Sequence, residues 1–191
     1  MAYGFEPVKH AQGGVIRPNN FSNYTIDSGY GTAIYRGDLV KIVEGTLELA
    51  APGDTTLVGV FWGCSYKKSN GEVVFSKYWP ASQVATDIKA DVYDDPNLVF
   101  RVQADQVGTA IAQNYVGSST DAWAVGTPDT VNTQSGAYLD SSGSFGASAA
   151  NLKVVGSGEP DANFTAVATT MDVLVQINEH LWKGTGGTAI S

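Results

Sequence analysis

The sequence is poor in the residue types that build metal and redox sites: its 191 residues include one cysteine and two histidines. A single cysteine excludes an intramolecular disulfide, and Cys64 follows an apolar run between two small residues, which is typical of a buried structural side chain rather than a nucleophile. Nothing in the spacing of His10 and His180 brings them together with carboxylates to bind zinc. The sequence therefore predicts no metal site and no cofactor.

The short motifs of common enzyme classes are also absent. The chain contains no G-x-S-x-G elbow, no phosphate-binding P-loop, no H-E-x-x-H and no C-x-x-C. A calcium cluster or an acid–base pair could be sought in Asp91, Asp94 and Asp95, but Asp95 suits the start of a turn and we expect the other two to be solvated. We interpret the integrin-type tripeptide Arg36-Gly37-Asp38 as a turn between strands. We expect a protein that is not an enzyme.

Charge is scarce and its sign is uneven. Charged residues make up 16% of the chain, and the formal net charge is −8. Residues 1–102 contain nine basic and eleven acidic residues, whereas residues 103–191 contain two basic and eight acidic residues. Because no positive stripe is present to neutralise phosphates, nucleic-acid binding is not expected. In a DNA-filled particle, such a chain would favour the outside of the shell.

Long hydrophobic runs are missing as well. No apolar segment approaches the ~20 residues that a membrane-spanning helix needs, and the first residues do not resemble a signal peptide. We therefore expect a soluble product made inside the cell, with no membrane partner.

What the sequence does contain is the alternation of β-strands, which is clearest over residues 85–104. Apolar residues occupy every second position on both sides of a central turn: Ile88, Ala90, Val92, Leu98, Phe100 and Val102. Asp95, Pro96 and Asn97 suit the first three positions of a type I turn. The pattern predicts a β-hairpin.

Further short strands are bounded by turn residues. A tight hairpin is predicted for residues 39–43 and 46–49, and a second one, with a type I′ turn at Asn70-Gly71, for residues 64–66 and 73–75. Residues 171–177 also alternate and are expected to return to the sheet. Strands of this length and spacing predict an all-β sandwich or small barrel, with residues 24–183 as a single domain.

Four segments depart from this pattern. Residues 1–23 mix aromatic residues with glycine and proline and predict an extended N-terminal arm that lies on another surface. Residues 106–115 could form a marginal short helix. Residues 117–150 are dense in Gly, Ser and Thr and predict a polar excursion or exposed flap, in which Trp123 is the best exposed candidate for stacking on a sugar. Residues 184–191 predict a loose tail.

An ordered series of segments resembles the virion structural proteins of tailed bacteriophages, specifically capsid decoration (cement) proteins. The series covers about Tyr24–His180 and reads SGYGTAIYRGDLVKI, GTLELAAPGD, VGVFWG, NGEVVFSKYWPA, YDDPNLVFRVQAD and VLVQINEH. The resemblance implies a β-barrel or β-tulip-like body, often trimeric, which binds the outer capsid at junctions of coat subunits through extended arms. It implies no catalytic residues, and the excursion at 117–150 has no counterpart in it.

The function that the resemblance implies is stabilisation of the shell from the outer capsid surface of the virion. The expected partners are the major capsid protein and other copies of the chain in a homotrimer. The residues expected to contact the capsid are Tyr3, Phe5, Val15, Ile16, Arg17, Phe21 and Trp123. Their apolar side chains would be buried at about 25 cal/mol per Å², less the cost of ordering the arm. A tail or neck component, or a surface glycan-binding module that uses Trp123, is the alternative.

Overall fold

A computed structural model describes residues 2–105, 111, 113–146, 150–158 and 171–183. The fold is all-β with a nearly closed, barrel-like sheet, which confirms the predicted fold class. Fourteen strands lie in the described residues: β1 (Glu6–His10), β2 (Ile34–Tyr35), β3 (Leu39–Val43), β4 (Thr46–Leu49), β5 (Leu57–Lys68), β6 (Val73–Ser76), β7 (Tyr78–Trp79), β8 (Ala85–Tyr93), β9 (Leu98–Ala104), β10 (Ser119–Thr120), β11 (Trp123–Ala124), β12 (Tyr138–Leu139), β13 (Leu152–Ser157) and β14 (Met171–Ile177).

Within the described residues, the longer strands form two sheets. The five-stranded sheet contains β3, β4, β5, β6 and β8, and β5 is its central strand. The seven-stranded sheet has the order β10-β13-β14-β9-β12-β11, with β1 also paired to β9. A separate small ladder joins β2 to β7. The last strand, β14, is buried at Val173, Val175 and Ile177, which confirms the predicted return to the sheet.

The strands predicted within residues 85–104 are present, but they do not pair with each other. β8 pairs with β5 in one sheet, whereas β9 pairs with β14 and β1 in the other. The turn is as predicted, because the Asp95 carboxylate accepts a hydrogen bond from Asn97 N (2.8 Å) and the Asp95 carbonyl accepts one from Leu98 N (3.1 Å). The predicted hairpin was wrong because alternation shows that a strand has one buried face and does not identify its partner. Residues 95–98 form a corner between two sheets.

A segment outside the named strands closes the five-stranded sheet into a ring. The Tyr24 carbonyl accepts a hydrogen bond from Ala90 N on β8 (2.9 Å), and the Thr25 carbonyl accepts one from Leu47 N on β4 (2.9 Å). Residues 24–26 thus connect strands that lie on opposite sides of β5. The ring encloses a hydrophobic core whose largest fully buried members are Trp79, Phe61, Ile26, Ile34 and Leu47.

The central strand β5 lies between two hydrophobic cores. Val58 and Phe61 belong to the core inside the ring, whereas Leu57 and Val60 belong to the core of the seven-stranded sheet. A bulge in the ladder with β3 at Gly59 shifts the alternation by one residue. Gly59 has φ +154°, and a Cβ there would lie 2.2 Å from the Tyr93 carbonyl oxygen, so only glycine fits this approach.

Both predicted short hairpins are present. β3 and β4 are joined by Glu44 and Gly45, which both have positive φ (48° and 87°), as a type I′ turn requires. β5 and β6 pair as predicted, with Tyr66 opposite Val74 in the observed register. The prediction of a type I′ turn for this second hairpin was wrong, because in residues 69–72 only Gly71 has a positive φ.

The N-terminal segment belongs to the body. β1 pairs with β9, with Glu6 opposite Arg101 and His10 opposite Leu98. Phe5 is fully buried in the core of the seven-stranded sheet, and its N–H donates to the Gly37 carbonyl (2.9 Å). The expectation that residues 1–23 form an arm needing another protein's surface was wrong for residues 2–10, because these residues find that surface within their own chain.

Three short strands of the seven-stranded sheet lie within the predicted polar excursion at residues 117–150. Strands β10, β11 and β12 lie in this segment, and Trp123 and Leu139 are buried. Its short polar side chains bond to local backbone: Thr120 Oγ1 donates to the Ser144 carbonyl (2.8 Å), and Ser135 Oγ accepts from Ala137 N (2.9 Å). The predicted exposed flap was wrong for the residues of these strands, because a polar side chain with a backbone partner can be buried, whereas residues 130–132 and 142–144 are exposed.

Two predictions lie wholly or partly outside the described residues. The loose tail at residues 184–191 lies outside them, and so does most of the short helix at 106–115, of which Gln113–Tyr115 forms a single 3-10 turn. In the part of the chain that the structure describes, no helix has the length and apolar character to cross a membrane.

Candidate functional site

The residues predicted to contact a capsid divide into a buried group and an exposed group. In the buried group, the rings of Phe5 and Trp123 meet edge to face with their centroids 6.2 Å apart, and Trp123 is 3% exposed. The Trp123 indole N–H donates to Asn151 Oδ1 (3.2 Å), so its polar edge has a partner inside the protein. The expectation that Trp123 is exposed for stacking on a sugar was wrong, because the core of the seven-stranded sheet encloses it.

Tyr3 lies beside a cluster of charged side chains around Arg101 of β9. Arg101 Nη2 donates to Glu6 Oε2 (2.7 Å), and Arg101 Nε lies 3.7 Å from Asp172 Oδ2. The guanidinium carbon lies 5.6 Å from the centroid of the Tyr3 ring. Burial, followed by the nearby Asp172 carboxylate, raises the pKa of the Tyr3 hydroxyl. Tyr3 is a half-buried part of the body and is not available as a free anchor.

A buried carboxylate fixes the loop that follows β1. Asp94 is fully buried and accepts three hydrogen bonds, from Asn20 N (2.7 Å), Phe21 N (2.9 Å) and the Tyr24 hydroxyl (2.8 Å). The prediction that Asp94 is solvated was wrong, because its donors come from a segment 70 to 74 residues earlier in the chain. Asp94 therefore has a structural role, holding residues 20–24 against the end of β8.

Asn19 covers the outer edge of β8 next to this carboxylate. Its backbone N–H donates to the Val92 carbonyl (2.8 Å), and its side-chain oxygen accepts from Val92 N (2.9 Å). Its side-chain NH₂ donates to the Ala90 carbonyl (3.1 Å). Asn19 has φ 54°, a left-handed conformation that asparagine tolerates better than most residues. One residue thus satisfies backbone groups that β8 would otherwise expose at its edge.

The exposed group lies in this loop, and we call it the loop surface: Val15, Arg17, Phe21 and the neighbouring Trp182. Val15 is 77% exposed and Phe21 54% exposed, whereas Ile16 between Val15 and Arg17 packs against the core. The rings of Phe21 and Trp182 stack with their centroids 6.0 Å apart and their planes 10° from parallel. Trp182 is held by a hydrogen bond from its indole N–H to the Tyr24 hydroxyl (3.1 Å).

A second exposed apolar surface lies on the outer side of the five-stranded sheet, and the sequence reasoning missed it. We call it the β6 face: Ser65, Lys67, Val73, Phe75 and Lys89, which line a shallow groove together with Tyr66 and Asp87. Phe75 is 83% exposed and Val73 59% exposed. The observed register places Phe75 opposite Ser65 and Val73 opposite Lys67, on the side away from the core, and the predicted turn at Asn70-Gly71 did not give this register.

Three titratable side chains are buried elsewhere. Burial raises the pKa of Asp38 to about 6 and that of the Cys64 thiol to about 12, and it lowers the pKa of His180 to about 4. Cys64 is buried, as predicted. Asp38 accepts a hydrogen bond from Tyr35 N (2.7 Å), so the tripeptide at 36–38 does not present its carboxylate to solvent. Within the described residues, no three His, Cys, Asp or Glu side chains are grouped so that they could hold a metal ion.

Comparison with protein-family models, with curated proteins and with solved structures finds no match to this chain.

Proposed function

We propose that the protein is a structural component of a tailed-bacteriophage virion, which binds the outer capsid surface and stabilises the shell as decoration (cement) proteins do. The phage assignment rests on the ordered sequence resemblance. The structural observation that supports a binding role is the loop surface: Val15, Arg17 and Phe21 are exposed on a loop that Ile16 and the hydrogen bonds to Asp94 hold against the body.

The fixed loop supports binding through a lower entropic cost. A flexible arm loses about 1–2 kcal/mol of backbone conformational entropy for each residue that becomes ordered on binding. Here Ile16 and the hydrogen bonds to Asp94 order the loop when the protein folds. Burial of Val15 and Phe21 against coat protein would stabilise the complex by about 25 cal/mol per Å². Less of this gain would be offset by conformational entropy, because the loop is already ordered.

Charge and multiplicity are consistent with an exterior position. The net charge of −8 disfavours the DNA-filled interior and imposes no such penalty outside. We propose a homotrimer with the major capsid protein as partner, because linked copies on a symmetric shell gain avidity when each contact is weak. The proposal includes no catalytic step.

The test begins with the place of the protein in an intact particle. A reconstruction should show its density over junctions of coat subunits on the outer surface. Density confined to the tail or neck would overturn the capsid proposal and support that alternative, and absence of the chain from particles would overturn both.

Binding to capsids stripped of the protein then tests the loop surface. Val15→Ser combined with Phe21→Ser should weaken binding at least about tenfold, since two exposed apolar contacts are lost. Val131→Ser is the matched control, because Val131 is 88% exposed and lies outside the loop. Equal occupancy of the double variant and the control would show that the loop surface is not the contact.

The structure does not favour the glycan-binding alternative. Trp123, on which it depended, is buried. An aromatic platform for a sugar needs an open ring face, so we do not propose this function.

A further inference from the structure

We propose that His180 is an acid-sensitive latch: its neutral imidazole holds Trp182 in the loop surface, and protonation at Nδ1 releases Trp182 while the two sheets stay folded. Because Trp182 stacks on Phe21, its release would change the shape of the loop surface. The latch lies within the chain itself, so its test does not depend on the proposed virion function.

The hydrogen bond between Trp182 and His180 fixes which ring nitrogen carries the proton. The Trp182 backbone N–H donates to His180 Nδ1 (3.2 Å), so Nδ1 presents a lone pair. A neutral imidazole has one N–H and one acceptor nitrogen, and its proton is therefore on Nε2. An imidazolium has an N–H at both nitrogens. The second proton would face the N–H of Trp182 and break this bond.

The surroundings of His180 give water little access. His180 is 5% exposed, and its Nε2 is buried. The segment is bound to the start of β5, because Leu181 N donates to the Leu57 carbonyl (2.7 Å). In this position water does not replace the lost hydrogen bond or hydrate an imidazolium. Protonation is therefore favoured when the contact with Trp182 opens.

The charged groups around His180 oppose one another. Asp94 and Asp95, at the corner after β8, favour the imidazolium, as does a backbone carbonyl of β5, whereas Lys183 in its own segment disfavours it. Both carboxylates already accept hydrogen bonds from other groups, and Asp95 contacts the second histidine, His10 (3.2 Å). Burial is the largest effect and lowers the pKa of His180 to about 4.

Release of Trp182 can be local because this residue follows β14 and lies in no strand. It is held by the bond to His180, by the bond from its indole N–H to the Tyr24 hydroxyl (3.1 Å) and by the stack on Phe21. None of these three contacts belongs to the ladders of the two sheets. Their loss leaves the strand pairing intact.

The proton balance gives the direction and the size of the effect. A released imidazole in water has a pKa of about 6.5, whereas the latched one has a pKa of about 4. Between these values the released state binds a proton that the latched state does not, so release becomes more favourable as the pH falls. From pH 7.5 to pH 5, the ratio of released to latched molecules should rise about thirtyfold.

The first test determines the protonation of the ring in the full-length chain. Nitrogen-15 chemical shifts of the two ring nitrogens distinguish an N–H from a lone pair. At pH 7.5 we expect the proton of His180 on Nε2. A proton on Nδ1 at this pH would overturn the proposal, because Nδ1 could not then accept from Trp182.

Hydrogen exchange of the Trp182 backbone amide then measures release. After correction for the pH dependence of intrinsic exchange, its opening constant should rise about thirtyfold from pH 7.5 to pH 5, a range above the ordinary pKa values of carboxylates. A low concentration of urea should leave this constant unchanged, whereas it should speed exchange of Val175 in β14, which requires unfolding of the sheet. If urea affects both amides equally, acid acts through global unfolding and the latch is overturned.

The two histidines provide a matched pair of variants. His10 Nδ1 also accepts a backbone N–H from two residues further along the chain, that of Gln12 (3.1 Å), but it lies in a different loop. His180→Asn should remove the pH dependence of Trp182 exchange, because asparagine does not titrate, and His10→Asn should keep it. A response that persists in His180→Asn, or disappears in His10→Asn, would overturn the role of His180. If His180→Asn does not fold, the two measurements on the parent chain decide the proposal by themselves.

Discussion

Two of the outer strands of the five-stranded sheet, β8 and β6, have edges in opposite environments. At the β8 edge, Asn19 bonds to the backbone of Ala90 and Val92, and Tyr24 continues the contact, so the chain covers its own strand. At the β6 edge, no described segment takes that position, and Phe75 is exposed beside it. Both strands pair with the same central strand β5, so the difference comes from the route of the N-terminal segment.

The comparison shows which apolar residues of the molecule are used for folding and which remain available for binding. Phe5 and Phe75 are both phenylalanines close to strand edges, yet Phe5 is fully buried and Phe75 is largely exposed. A buried apolar side chain such as Phe5 contributes to the free energy of unfolding, whereas an exposed one such as Phe75 contributes little. Substitutions of the two residues should therefore change the free energy of unfolding by different amounts.

The largest expected difference is between Phe5→Ala and Phe75→Ala. Phe5→Ala should lower the free energy of unfolding by about 3–5 kcal/mol, because it leaves a cavity beside Trp123 in the core. Phe75→Ala should change it by less than about 0.5 kcal/mol, because the ring is in water. Urea denaturation of both variants gives the comparison. Similar losses would show that the β6 face is also a structural contact.

A smaller effect is expected from the carboxylate that holds the covering segment. Asp94→Ala removes the acceptor for Asn20 N, Phe21 N and the Tyr24 hydroxyl and should cost about 2–4 kcal/mol, because these donors lose their partner. Asp91→Ala, on the exposed side of the same strand, should cost less than about 1 kcal/mol. Urea denaturation of both variants measures the two losses. Equal losses of free energy of unfolding in Asp94→Ala and Asp91→Ala would contradict the structural role of Asp94.

The smallest of the three effects is the loss of stability at acidic pH that is linked to protonation of His180. Burial lowers the pKa of His180 to about 4, while Asp94 and Asp95 raise it and Lys183 lowers it. An unfolded histidine has a pKa of about 6.5, so between about pH 6.5 and pH 4 the unfolded state binds a proton that the native state does not. Stability linked to this group is therefore present above about pH 6.5 and lost as the pH falls toward 4.

His180→Asn removes this linkage and should keep an acceptor near the position of Nδ1, which binds Trp182 N. Between about pH 7.5 and pH 5, the parent should lose about 2 kcal/mol of stability relative to the variant. Denaturation of both proteins at the two pH values measures the difference. Parallel pH profiles would show that His180 is already protonated or accessible in the native protein.

The sequence predicted the local backbone geometry well, but it predicted poorly which strands pair with each other. The alternation in β8 and β9, the turn at Asp95 and the tight hairpin of residues 39–43 and 46–49 depend on neighbours in the chain, and all are confirmed. The pairing of β8 with β5 rather than β9 depends on residues distant in sequence, and alternation contains no information about it.

The candidate site shows the same limit. Asp94 was expected in water because a polar residue at a turn is usually exposed, and its three donors lie on a distant segment. Trp123 was expected in water because its neighbours are small and polar, and those neighbours satisfy one another by short hydrogen bonds that permit burial. The exposure of Val15 and Phe21, by contrast, agrees with the predicted contact residues.

The closure of the ring by residues 24–26 has a consequence for the time course of folding. The bridge between Tyr24 and Ala90 and the ring contact between Phe5 and Trp123 join segments that are far apart in the chain. On a ribosome, residues 5–24 would have to wait for strands made much later before they could be buried. Contacts of such large sequence separation slow folding. We therefore expect the chain to fold slowly, with the N-terminal segment docking among the last steps.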